Sequence, residues 1–263
     1  MNIKWLWNNL DKAFWLIYLP FAFPSKFFQL MGISFSNPRL IGELIHLYPR
    51  RKWLKSKHFS TLIDVGSFIG SYSYAMSLIL PGIKIIAFEP LKDNYLDLNR
   101  NMAGHENFTA FHIALGSQSG EVNFNSNRFP AASSVLELED LHKAQYPYAA
   151  TVSKTTAPLG KLDASISDVE IEGPALLKID VQGFELEVLK GAAGCLEKID
   201  SVYLEVSYQP LYANQCSFDS IHHFLSEHGF EFMGSYNQTY TRDGTVLQSD
   251  ILYCKPKQQS PVS

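Results

Sequence analysis

The chain has 263 residues, 46% of them hydrophobic, which is ample for one large α/β domain with or without an appendage and excludes a disordered chain. A net charge of −4 and a pI near 6.1 provide no basic face, which argues against a nucleic-acid partner. Cys195, Cys216 and Cys254 are scattered without a CxxC pair, so neither a zinc site nor a disulfide framework is indicated, and a reducing cytoplasm suits them.

Ile3, Leu6, Trp7, Leu10, Phe14, Ile17 and Phe21 recur at helical spacing, which predicts an amphipathic helix that breaks at Pro20. The apolar run Ala13 to Phe23 falls short of the ~20 residues a bilayer span needs. Trp5 and Trp7 stand where a signal peptide carries charge, and no A-x-A-like site follows. Two readings stay open for residues 1–25: the helix packs on or covers an active site, or its aromatic face rests on the inner face of a membrane. Asn37-Pro38 then opens a second helix, with Asn37 as N-cap and Leu40, Ile41, Leu44, Ile45 and Tyr48 as its apolar face. Pro49 ends or kinks it. The basic cluster Arg50, Arg51, Lys52, Lys55 and Lys57 is either a solvated helix end or a contact to an anionic group.

The stretch TLIDVGSFIG, Thr61 to Gly70, reads as a buried strand that stops at Gly66 and feeds the helix-like run SYSYAMSLIL. That is the opening of a βα unit, whose turn lies at the carboxyl edge of the sheet, where open α/β folds bind ligands. Gly66 and Gly70 allow close backbone approach, and Asp64 sets a carboxylate beneath the turn. A second strand, KIIAFEP, ends in Glu89 and Pro90, where an acid can accept both hydroxyls of a ribose. The turn Gly66-Ser67-Phe68-Ile69-Gly70 lacks the G-x-G-x-x-G spacing of a pyrophosphate cradle, and Asp64 would repel phosphate. A nucleoside carrying an ammonium or sulfonium fits better, and S-adenosylmethionine carries both.

From there strands and helices alternate, which predicts a parallel sheet with helices on both faces. The predicted strands are 61–66, 84–89, 108–113, 175–180, 201–206, 230–235 and 249–255; the predicted helices lie near 70–80, 93–103, 184–194 and 217–228. The stretch Gly116 to Ala157 breaks the rhythm, and 121–125 with 150–156 are expected as extra strands in a cap over a substrate. The last two strands are joined only by a loop with the Asp243-Gly244 turn, a hairpin that resembles the reversed edge of a methyltransferase sheet.

The stretch ALLKIDVQGFELEVLKGA, Ala175 to Ala192, closely resembles the hallmark segment of the FkbM-type family of S-adenosylmethionine-dependent O-methyltransferases. The resemblance takes in DVGSFIG, AFEP, the run from Phe108 through Ala114 to Gly116, Leu162-Asp163 and the strand Tyr203 to Val206, spanning roughly residues 60–235 in order. Phe68 departs from a usual small polar residue and Gln182 from a frequent acid, which puts in doubt a second negative charge beside Asp180. The resemblance implies a class I, Rossmann-like α/β fold with a mostly parallel seven-stranded sheet and a reversed edge hairpin. On this basis residues 59–263 form the cofactor-binding domain and 1–58 a helical N-terminal extension. The cofactor set is expected to be Asp64, Gly66, Ser67, Gly70, Glu89, Pro90, Ala114 and Asp180. The acceptor implied is a hydroxyl of a sugar, glycan or small natural product.

Methylation of a hydroxyl needs positioning first, and a base second because a sugar-type hydroxyl is a poor nucleophile while protonated. Asp180, at the end of the fourth core strand, ranks first as base, followed by Glu185, Glu205 and His112. Each also has a purely structural reading: Asp180 or Gln182 as a helix cap, Glu185 in a helix dipole, Glu205 on backbone amides and His112 as a satisfied strand residue. His222, His223 and His228 lack metal spacing, and no ligand set is complete enough to predict a metal. Two other classes remain: a nicotinamide-dependent oxidoreductase, which a pyrophosphate-binding turn would mark, and a non-catalytic module of the same fold.

Overall fold

Alternation along β1 (Thr61–Val65) sets up the molecule, because its five residues are all buried and face two different layers. The computed structural model describes residues 23, 30, 40, 42–127, 135–136, 151–241 and 243–256. The predicted helix over 3–21, the Asn37-Pro38 cap, the membrane-facing reading of residues 1–25 and much of the predicted cap lie outside the described residues.

The chain runs α1 (Gly42–Leu47), a 3-10 turn (Tyr48–Arg50), α2 (Arg51–Ser56), β1, α3 (Ser71–Ile79), β2 (Lys84–Phe88), α4 (Lys92–Asn101), β3 (Phe108–Phe111), β4 (Ala114–Leu115), β5 (Gly120–Asn127), β6 (Thr151–Gly160) and α5 (Leu162–Ser165). It continues with β7 (Ala175–Ile179), α6 (Glu185–Gly191), β8 (Ser201–Ser207), α7 (Phe218–Glu227), β9 (Glu231–Tyr240) and β10 (Val246–Cys254). Seven strands form one sheet in the order β3-β2-β1-β7-β8-β10-β9, parallel except for β10, which runs antiparallel to both neighbours. The reversed edge hairpin is therefore present. The third predicted strand, 108–113, ends at Phe111, because the chain then leaves the main sheet and Ala114 and Leu115 pair with β6 in a separate sheet of order β4-β6-β5. The expected extra strands are β5 and β6 of that sheet.

Period-2 alternation divides the core. Leu62, Ile85 and Leu176 face a layer shared with α1, α2 and α3, whose Leu44, Leu54 and Met76 are buried there. Ile63, Ile86, Leu177 and Ile179 face the other layer, with Val188 of α6 and Leu225 of α7. The described part of the N-terminal extension thus shares a core with the sheet. Pro49 kinks this region rather than ending it, since the 3-10 turn passes directly into α2. Among the described residues, no helix is long and apolar enough to cross a membrane.

Candidate active site

The register of β1 against β7 pairs Asp64 with Lys178, so a carboxylate and an ammonium meet on one face of a buried sheet. Lys178 Nζ lies 3.1 Å from Asp64 Oδ1 and donates to the Gly66 carbonyl at 2.9 Å, while Ser73 Oγ donates to Asp64 Oδ2 at 2.6 Å. Asp64, fully buried, is thereby neutralised inside the protein, and its carboxylate does not face a ligand directly as the sequence reading had it. Lysine inside ALLKI was the available signal, because an ammonium in a buried strand requires a partner.

The two glycines of the turn serve the fold. A Cβ on Gly66, whose φ is +75°, would lie 1.9 Å from the Asp180 carbonyl oxygen, so the turn after β1 could not lie so close to the end of its neighbour β7. A Cβ on Gly70 would come within 2.8 Å of Leu98 on α4. Both close approaches are to the protein itself, where the sequence reading expected a ligand. The amides of the turn are committed too: Gly66 and Ser67 donate to the Phe88 carbonyl, Phe68 to Glu89 and Gly70 to the Ser67 carbonyl.

At the carboxyl edge these strand ends open into a cavity of about 740 Å³, within the usual range for small-molecule sites. Gly66, Ser67, Glu89, Pro90, Ala114 and Asp180 line it; Asp64 and Gly70 do not. Glu89 is buried and accepts from the Phe68 amide at 2.9 Å on Oε2, and from the Leu91 amide and the Asn94 side chain on Oε1 at 2.9 and 3.1 Å. Burial pushes its carboxyl up to about 7, against those three donors.

Of the four base candidates, Asp180 and Glu205 line the cavity and Glu185 and His112 do not. Glu185 is buried beneath the β7–α6 turn, where its Oε1 accepts from the Val181 and Gly183 amides at 3.3 and 3.0 Å; its role there is structural. His112 is exposed and stacks on Tyr95 at 5.0 Å. Gln182, in a left-handed conformation with φ 56°, bridges the remaining pair by donating to Asp180 Oδ1 at 2.8 Å and Glu205 Oε2 at 3.1 Å. Its own carbonyl accepts the Tyr212 hydroxyl. An acid at this position would repel both carboxylates, which gives the departure at Gln182 a physical reason. Gln248 adds a second donor to Glu205 Oε2 at 2.8 Å. Burial, then the charges of Asp180, Asp250 and Glu185, hold the Glu205 carboxyl well above the usual range.

Sequence reasoning missed the far wall. Glu43 and His46 of α1, Tyr203 of β8, Asn237 of β9 and Asp250 of β10 all line the same cavity. Asp250 Oδ2 accepts from the Tyr203 hydroxyl at 2.7 Å and Asn237 at 2.6 Å. Behind it Arg50 donates to the Tyr203 hydroxyl at 3.0 Å and lies over the Tyr236 ring at 4.7 Å, so this member of the basic cluster is engaged internally. Among the described residues of the lining, five carboxylates stand against one lysine, so its charged groups are mostly acidic. Among the described residues no group of three His, Cys, Asp or Glu is placed to hold a metal ion.

The sheet order, the reversed hairpin and a cavity over the β1, β2 and β7 ends define a class I, Rossmann-like methyltransferase fold. Residues 64–232 match the Methyltransferase FkbM domain, and the chain belongs to that family of methyltransferases. It is 24% identical over 169 residues to the 2-O-methyltransferase NoeI of Sinorhizobium fredii, covering 62% of this chain and 69% of that one. It is 28% identical over 146 residues to the hexuronic acid methyltransferase AglP of Haloferax volcanii, covering 55% of each. The chain thus spans just over half of the second relative's length. A solved structure of the Methanococcus jannaschii fibrillarin pre-rRNA processing protein overlaps 77% of this chain and 69% of its own, with a TM-score of 0.44 and 12% identity.

Proposed function

We propose that the protein transfers a methyl group from S-adenosylmethionine to a hydroxyl of a sugar-like acceptor. The observation that carries this reading is the cavity itself, whose charged lining is mostly acidic, with Glu89 at one strand end, Asp180 at another, and turn amides already committed within the protein. Such a lining repels a pyrophosphate and favours a ligand bearing ammonium and sulfonium charge. The same feature weighs against a nicotinamide cofactor. The relatives named for 2-O-methylation and for hexuronic acid supply the acceptor class.

When bound, S-adenosylmethionine supplies an electrophilic methyl group on sulfur. Glu89 retains acceptor capacity on Oε2 beyond its bond to Phe68, which suits a ribose hydroxyl. Asp180, whose side chain is 42% exposed, lines the cavity with Oδ1 held by Gln182 and Oδ2 3.8 Å from the Lys178 ammonium. Glu205 is the member of this pair that burial drives toward its protonated form. Proton acceptance from the acceptor hydroxyl therefore falls to Asp180.

Calorimetry with S-adenosylmethionine, S-adenosylhomocysteine and NAD tests the cofactor: micromolar binding of an adenosyl ligand and none of NAD is expected. Labelled methyl transfer to a panel of neutral and uronic glycosides tests the acceptor, with Asp180→Asn expected to lower kcat roughly 10²–10⁴-fold at near-constant cofactor affinity. NAD binding in place of the adenosyl ligands, or an Asp180→Asn variant of full activity, would overturn the reading.

A further inference from the structure

The cavity's carboxylates differ in how they are satisfied. Glu89 accepts three N–H donors, Asp180 accepts from Gln182, Glu205 from Gln182 and Gln248, and Asp250 from Tyr203 and Asn237. Glu43 is the exception: it lines the cavity from α1, half-buried, and no group among the described residues hydrogen-bonds it. A carboxylate that faces a cavity with no donor of its own is free to receive a cationic donor from whatever fills that cavity.

The layout of the cavity says which cation. Across the sheet Glu89, at the end of β2, and its donor Asn94 stand on one side of the Gly66–Phe68 turn that follows β1, and Lys178 of β7, Tyr203 of β8 and Asp250 of β10 follow on the other. The charges acting on Glu43 come from Lys178, Asp250, Asp180 and Arg50. A nucleoside held at Glu89 must extend its sulfur-bearing chain across the turn toward that side. The carboxylate beneath the turn, Asp64, is already spent on Lys178 and Ser73 and cannot receive the ammonium at the chain's end.

Resting on the cofactor reading above, we infer that Glu43, on a helix outside the nucleotide-binding pattern, receives the ammonium of the amino-acid end of the S-adenosyl ligand. The extension is then part of the cofactor site as well as of the core, and the ligand ties α1 to the sheet. Direct contact with bound cofactor makes Glu43 a binding residue with no part in proton transfer.

The test compares two ligands by calorimetry. S-adenosylhomocysteine carries the amino-acid end; 5′-methylthioadenosine keeps the nucleoside and sulfur and lacks it. Glu43→Gln should weaken S-adenosylhomocysteine roughly tenfold or more, as expected for loss of a charged hydrogen bond, and leave 5′-methylthioadenosine unchanged. Thermal unfolding should show the variant at least as stable as the parent, since the carboxylate has no internal partner to lose and burial disfavours its charge. Equal weakening of both ligands, or of neither, would overturn the inference while leaving the cofactor reading intact. Failure of the unaltered protein to bind either ligand would overturn the cofactor reading and this inference with it.

Discussion

Replacing Lys178 by Met is the sharpest perturbation of the site's foundation. The ammonium lies 3.1 Å from Asp64 Oδ1, with side-chain exposures of 7% and 0%. At that separation and an effective dielectric of 20 the attraction is about 5 kcal/mol. Removing one partner of a buried pair costs about 3–5 kcal/mol, because the other charge is left uncompensated. Methionine keeps the length of the stem, so packing beside Tyr72, whose ring centre is 5.6 Å from Nζ, is largely retained. The hydrogen bond from Ser73 to Asp64 survives and spares part of the loss. For a chain of this size the expected fall in Tm is roughly 6–20 °C. Circular dichroism melts of Lys178→Met, Asp64→Asn and the double variant form a cycle that isolates the pair. The double variant should recover most of what Lys178→Met loses, since neither charge then remains buried alone. A Lys178→Met protein within 2 °C or so of the parent, on the same scale, or a double variant no better than Lys178→Met, would refute the reasoning.

Gly66→Ala should abolish folding, because its Cβ would sit 1.9 Å from backbone at a φ of +75°; a soluble variant with parental Tm would contradict the close approach of the Gly66 turn to the end of β7. Burial raises Glu43, Glu89 and Glu185 from 4.5 to about 7 in the folded state. Between those values the folded protein binds more protons than the unfolded chain, so these groups stabilise below pH 4.5 and lose that contribution as pH rises to about 7. In the ligand-free protein Glu185→Gln should therefore show a shallower fall of Tm across this window than the parent, and equal slopes would exclude the effect. Arg50→Lys should lower Tm by roughly 2–4 °C, about 1 kcal/mol, by losing the planar stack over Tyr236. A variant melting at the parental temperature would show that the stack contributes nothing.

Much of the architecture was legible because its signals are local. A buried apolar run ended by a glycine turn identified β1, and the acid closing KIIAFEP marked the site's other boundary. The loop-only connection between the last strands announced the hairpin, and the break in the strand–helix rhythm across 116–157 announced strands beyond the main sheet. Residue type and spacing suffice for such features, since strand alternation and turn chemistry act over a few residues. They could not separate Asp180 and Glu205 from Glu185 and His112. All four stand at or near strand ends, yet only the first two reach the cavity.

What the sequence by itself determined was the order of strands and helices, the family, and the placement of Glu89 and Asp180 at the ends of the two strands that flank β1. Only the tertiary structure decided which charges answer one another. Asp64 and Lys178 are partners because two strands pair in a register that no local pattern encodes. Glu43 and Asp250, far apart in the chain, line one cavity because α1 packs against the sheet and β10 inserts between β8 and β9. Convergence of that kind is a property of the closed core, in which each contact depends on every other being made.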